Sequence, residues 1–142
     1  MKRTLRLIAL MLVVCMSMCI LASCAPNADP DKALAALEKN GYIAAKDSTV
    51  VPIGLNMAFV IARVDATVKD CVVGSFDDEE NDKVQSVTIV YFESKDDATA
   101  AFNAVKEYAE ENKSEDEKTD FVFKQSGAMI YWGTSAGVKA AR

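Results

Sequence analysis

Four cysteines and no histidine set the first limits on the chemistry open to this chain. Without an imidazole, Ser-His-Asp and Cys-His nucleophiles are excluded, and so are the common histidine-containing zinc sites. The six glycines are scattered singly, so no phosphate-cradling loop or dinucleotide fingerprint is present. Asp77-Asp78-Glu79-Glu80-Asn81-Asp82 gathers five carboxylates. It lacks the alternating oxygen ligands, sixth-position glycine and distal glutamate of a calcium loop, and reads as a solvated hairpin tip. A glycosidase-like pair needs two acids held together in a cleft, and most of these acids lie in polar stretches. The expectation is no catalytic residue, no metal site and no cofactor, hence not an enzyme. Two chemistries remain. One is that of Cys24, which follows Leu21, Ala22 and Ser23. The other is aromatic stacking by the adjacent Tyr131 and Trp132, the candidate ligand-binding pair.

Cys24 closes a recognisable series. Met1 to Arg6 carries three basic charges and no acid, Leu7 to Ala22 carries no charge, and small residues then lead into the cysteine. That order is a secretory signal. The uncharged run is slightly short for a membrane span, which needs about 17–25 residues. The series Leu21-Ala22-Ser23-Cys24 resembles the lipobox of bacterial lipoprotein precursors. The resemblance implies that the Cys24 thiol receives a diacylglyceryl group and that the Ser23–Cys24 bond is cut. It further implies acylation of the new amino group, with chains such as palmitate. The rest of the chain resembles, in general appearance, the small lipoproteins of clostridial-type Gram-positive bacteria, a likeness that brings no function with it.

On this reading, residues 1–23 are a cleaved signal peptide, residues 24–29 the lipidated cysteine and a short tether, and residues 30–142 a single extracytoplasmic domain. The tether would reach some 15–20 Å. Of 142 residues, 119 remain after cleavage, enough for one domain with a real core. Loss of Lys2, Arg3 and Arg6 takes the formal charge from −5 to −8. Such a domain repels nucleic acid and anionic lipid headgroups, so the acyl chains hold it at the membrane. Cys15 and Cys19 leave with the signal, and Cys71, beside Val72 and Val73, reads as a small buried hydrophobe.

The elements follow from spacing. Asp29-Pro30 starts a short helix, with Ala33, Leu34 and Leu37 on one face and Gly41 beyond its end. Tyr42 to Lys46 reads as a strand, and Ser48 to Asn56, with Pro52 and Gly54, as a loop. Alternation from Ala62 to Lys69 predicts a half-exposed strand, favoured by its Val and Thr content over a rival helix through Ile61, Val64, Val68 and Cys71. Val84 to Phe92 is apolar on both faces, which predicts a central strand. Ser94 caps a long helix through Ala98, Ala101, Phe102, Val105, Tyr108 and Ala109, ending near Asn112. Phe121 to Lys124 and Ala128 to Trp132 form a hairpin at Ser126-Gly127, and Thr134 or Ser135 caps a last short helix.

The order predicts an α+β fold. Specifically, it is a two-layer sandwich, a mainly antiparallel sheet of four to five strands packed by one long helix, with short N- and C-terminal helices. Phe121, Phe123 and Tyr91 are expected in the core. Tyr131 and Trp132 are expected at the surface, since adjacent strand residues face opposite ways. The function expected is a lipid-anchored, non-catalytic interaction or adaptor module at the outer face of the cytoplasmic membrane, with a protein or small-ligand partner. The alternatives are a cell-wall or small-ligand binder using the sheet aromatics, and a carboxylate-dependent hydrolase.

Overall fold

The computed structural model describes residues 25–142, so Cys24 and the signal segment lie outside the described residues. The fold is α+β, built on a five-stranded antiparallel open sheet. In chain order it comprises α1 (Pro30–Lys39), β1 (Ile43–Lys46), α2 (Val50–Ala62), β2 (Val68–Asp78), β3 (Lys83–Phe92), α3 (Lys95–Glu111), β4 (Val122–Ser126), β5 (Met129–Gly133) and α4 (Ser135–Ala140). The strands lie in the order β1-β2-β3-β5-β4. β3 is therefore central, as its two apolar faces require.

Alternation along the strands sorts side chains into two cores. Val72, Val87, Ile89, Tyr91, Met129 and Tyr131 face one side. Cys71, Val90, Phe92, Ile130 and Trp132 face the other. The long helix α3 covers the second side, its Ala98, Ala101, Val105 and Ala109 fully buried at helical spacing. This sheet-and-helix sandwich is the frame of the molecule, and the short helices α1 and α4 close its reverse face through Ala33, Leu37 and Val138.

Helix ends follow their capping chemistry. The Asp29 carboxylate accepts from the N–H groups of Asp31 and Lys32, with Pro30 in the first turn, where no N–H is needed. Gly41, at φ 83°, takes the left-handed turn beyond α1. Ser94 accepts from the Asp97 N–H at 3.1 Å and donates to the Asp97 carboxylate at 3.0 Å. Thr134 caps α4 by accepting from the Gly137 N–H.

Along the backbone, the structure departs from the sequence expectation in two segments. The first is Ser48 to Asn56, where a helix, α2, replaces the loop. Pro52 falls in its first turn, where the missing N–H is harmless. Gly54 is required by closeness to α3, since a Cβ there would stand 2.6 Å from the Tyr108 ring. Asp47 starts the helix from two residues ahead of Thr49, its carboxylate accepting from the N–H groups of Thr49, Val50 and Val51 at 2.8–3.0 Å. The strand expected from Ala62 accordingly begins only at Val68 and runs on to Asp78.

The second is the stretch expected to act as a tether. Pro26 is buried and Ala25 packs on the reverse core. The Asn27 N–H donates to Ala141 O at 2.9 Å, and the Tyr91 hydroxyl donates to Asn27 O at 2.8 Å. Residues 25–29 thus lie along the domain, and the extended reach expected of them is not realised.

Candidate functional site

The sequence-predicted aromatic pair does not form a surface. Tyr131 is 3% exposed and Trp132 5% exposed. They do face opposite sides of β5, but helices cover both sides, so neither reaches solvent. Trp132 lies between the rings of Phe123 and Tyr108, at centroid distances of 6.3 and 6.4 Å. Tyr131 sits in the reverse core. Of the three aromatic residues expected in the core, Tyr91 is buried, whereas Phe121 and Phe123 are half-buried against it.

Glu117, Asp31 and Asp70 each have partners within the fold. Glu117 is the one buried carboxylate among the described residues. One of its oxygens accepts from the Ser86 hydroxyl at 2.6 Å and the other from the Ser114 N–H at 2.8 Å. Asp31 and Asp70 both reach Lys46 Nζ at 3.0 Å. A hollow of about 800 Å³ at the sheet end beside Asn27 and Gly127 is lined by those two acids and by Asp29, which caps α1. Cys71 is buried, and burial, then the charges of Asp47 and Asp70, push its thiol up to about 12. A thiol so raised is a poor nucleophile. No group of three or more potential metal ligands occurs among the described residues.

The surface that lacks a structural explanation is the outer side of α2. From Val50 to Ala62 the helix carries no charged residue. Only Leu55 and Phe59 are fully turned into the core, Phe59 packing at 6.3 Å from Phe92. Val50, Ile53, Met57, Val60 and Ile61 project outward, between 58% and 81% exposed. Their spacing of three and four residues puts them on one continuous face. Single exposed apolar residues are ordinary, but a contiguous apolar face with a polar rim marks an interaction surface. Fully burying side chains of this kind stabilises a contact by roughly 1.5–3 kcal/mol each.

Beside this ridge runs a groove of about 370 Å³ between α2 and α3. Ala58, Ala62 and Ala104 are among the small residues lining it, with Met57 and Ile61 on the α2 side and Glu107, Tyr108 and Glu111 on the α3 side. None of these residues stands out by type. The signal that could have found the site is the uncharged run from Ser48 to Ala62, which Pro52 and Gly54 disguise as a loop.

No described helix is long and apolar enough to cross a membrane. Comparison of the chain with protein-family models, with curated proteins and with solved structures finds no match.

Proposed function

We propose that this chain is a lipid-anchored, non-catalytic interaction module on the outer face of the bacterial cytoplasmic membrane, tethered through acylated Cys24 and presenting α2 to a partner. The observation that carries the reading is the uncovered apolar face of α2, which leaves five large side chains in water. The lipobox resemblance of Leu21 to Cys24 supports the anchor. Commitment of Glu117, Asp31 and Asp70 to structural partners supports a binding role over hydrolysis. Two acyl chains make release slow, whereas one binds only marginally.

The anchor is tested by Cys24→Ala in the native host. The expected product is an uncut, unlipidated precursor, and a mature protein of normal mass overturns the assignment. The interaction role is tested by a photo-crosslinking residue at Met57 or Ile61 in the full chain in cells. A discrete protein adduct, absent when the same residue replaces exposed Thr119, is expected. Equal labelling at all three positions overturns the role of α2.

A further inference from the structure

We infer that the α2–α3 surface takes an amphipathic helix of another protein, whose apolar face is flanked by lysine or arginine. The inference rests on the interaction-module reading and names the chemistry of its partner. The α2 ridge of Ile53, Met57, Val60 and Ile61 supplies an elongated apolar strip, and a strip of that shape fits the apolar face of a helix. The far wall of the adjoining groove carries Glu107 and Glu111.

These two acids decide the sign of the partner. They lie four residues apart on one face of α3, and like charges at that spacing destabilise a helix. Both are exposed, and neither has an ion-pair partner among the described residues. A cation set beside them relieves that repulsion. A second copy of this chain would instead bring the same acids together, on domains that each carry a net charge of −8 after cleavage. An anionic bilayer is disfavoured on the same ground. The chain also reaches the domain at Ala25 on the reverse core, across the sheet from α2.

The experiment uses the full chain in zwitterionic phosphatidylcholine nanodiscs, with a fluorescent amphipathic Leu/Lys helical peptide as probe and a Leu/Glu peptide of the same apolar pattern as its counterpart. The Leu/Lys peptide is expected to bind and the Leu/Glu peptide not. Met57→Asp with Ile61→Asp should weaken binding about tenfold or more, the scale of losing central apolar anchors. Glu107→Gln with Glu111→Gln should weaken it about threefold, the scale of exposed ion pairs. Glu79→Gln with Glu80→Gln makes the same change of charge at the β2–β3 turn and should have no effect. Unchanged Trp132 emission certifies the fold of each variant, since Trp132 packs beneath Tyr108.

Absence of Leu/Lys binding, equal binding of the Leu/Glu peptide, or equal weakening by the Glu79 and Glu80 pair overturns the inference. So does a crosslink from Met57 to a second copy or to lipid. A specific protein adduct in cells together with failure of the Leu/Lys peptide leaves the interaction module standing and removes the basic helix.

Discussion

The ring of Tyr108 lies against Gly54, close enough that a Cβ at position 54 would meet Tyr108 Cε2 at 2.6 Å and its hydroxyl at 2.8 Å. This contact sets how near α2 lies to α3, and so the width of the groove between them. The same Tyr108 ring packs edge-on with Trp132, which limits how far it can withdraw.

Gly54→Ala is therefore expected to destabilise the domain by about 1–3 kcal/mol through overpacking, although alanine is the better helix former. Replacing Tyr108 by Leu in the same chain should recover part of the loss. Urea denaturation of the two variants checks both statements, and a stabilised Gly54→Ala would show that α2 moves freely over α3.

The start of α2 depends on Asp47. Burial alone would raise its pKa, but the N–H groups of Val51, Thr49 and Val50, with the Thr49 hydroxyl, outweigh burial and hold it below the ordinary carboxylate value. A carboxylate depressed in the folded state contributes stability above its unfolded pKa, near 3.8, and loses it as pH falls through the lower folded value. Asp47→Ala should cost about 1–2 kcal/mol at neutral pH, the scale of a lost cap. The cost should shrink on acidification through that window. Thermal melts of both proteins from neutral to strongly acidic pH measure it.

Tyr91 joins the first described residues to the sheet. Burial, then the charges of Asp70, Asp29 and Cys71, raise its phenol well above the ordinary value, so it stays protonated and donates to Asn27 O. Tyr91→Phe should cost about 1 kcal/mol. It should also speed hydrogen exchange at the Asn27 amide, which bonds to Ala141 O, while the amides of β3 stay protected. A raised phenol contributes stability that is present below its unfolded pKa of 10.0 and lost as pH rises toward its folded value.

Cys71 should resist alkylation in the native protein at pH 8 and react only on unfolding. Its raised value gives the same sign on the alkaline side, with stability present below 9.0 and lost as pH rises toward about 12. An iodoacetamide adduct on the peptide that carries Cys71, formed under native conditions at a rate near that of a free thiol, would contradict the burial of this side chain.

The outer face of α2 should be neutral for the fold. Val60→Lys and Ile61→Lys remove exposed apolar side chains and are expected to change stability by no more than about 0.5 kcal/mol while lowering the binding of a hydrophobic dye. A larger loss of stability in urea would assign the face to the fold instead of to a partner.

Local chemistry by itself determined the elements whose signals need no partner. Asp29-Pro30 and Gly41 bound α1, Ser94 and Asp97 start α3, and alternation from Val87 to Phe92 divides β3 between two faces. Each depends on residues within a few positions of one another, so it is readable before the chain folds. What covers each face was decided only by tertiary structure. Alternation sends Tyr131 and Trp132 to opposite sides, but only the placement of α1 and α4 on one face and of α2 and α3 on the other buries both. Helix α2 was hidden for a related reason. Its apolar residues surround it, so they show no 3.6-residue period, and Gly54 is explained by Tyr108, fifty-four positions away. The apolar face that carries the proposed function arises from that same unperiodic run, because a sheet and one neighbouring helix can bury only one side of it.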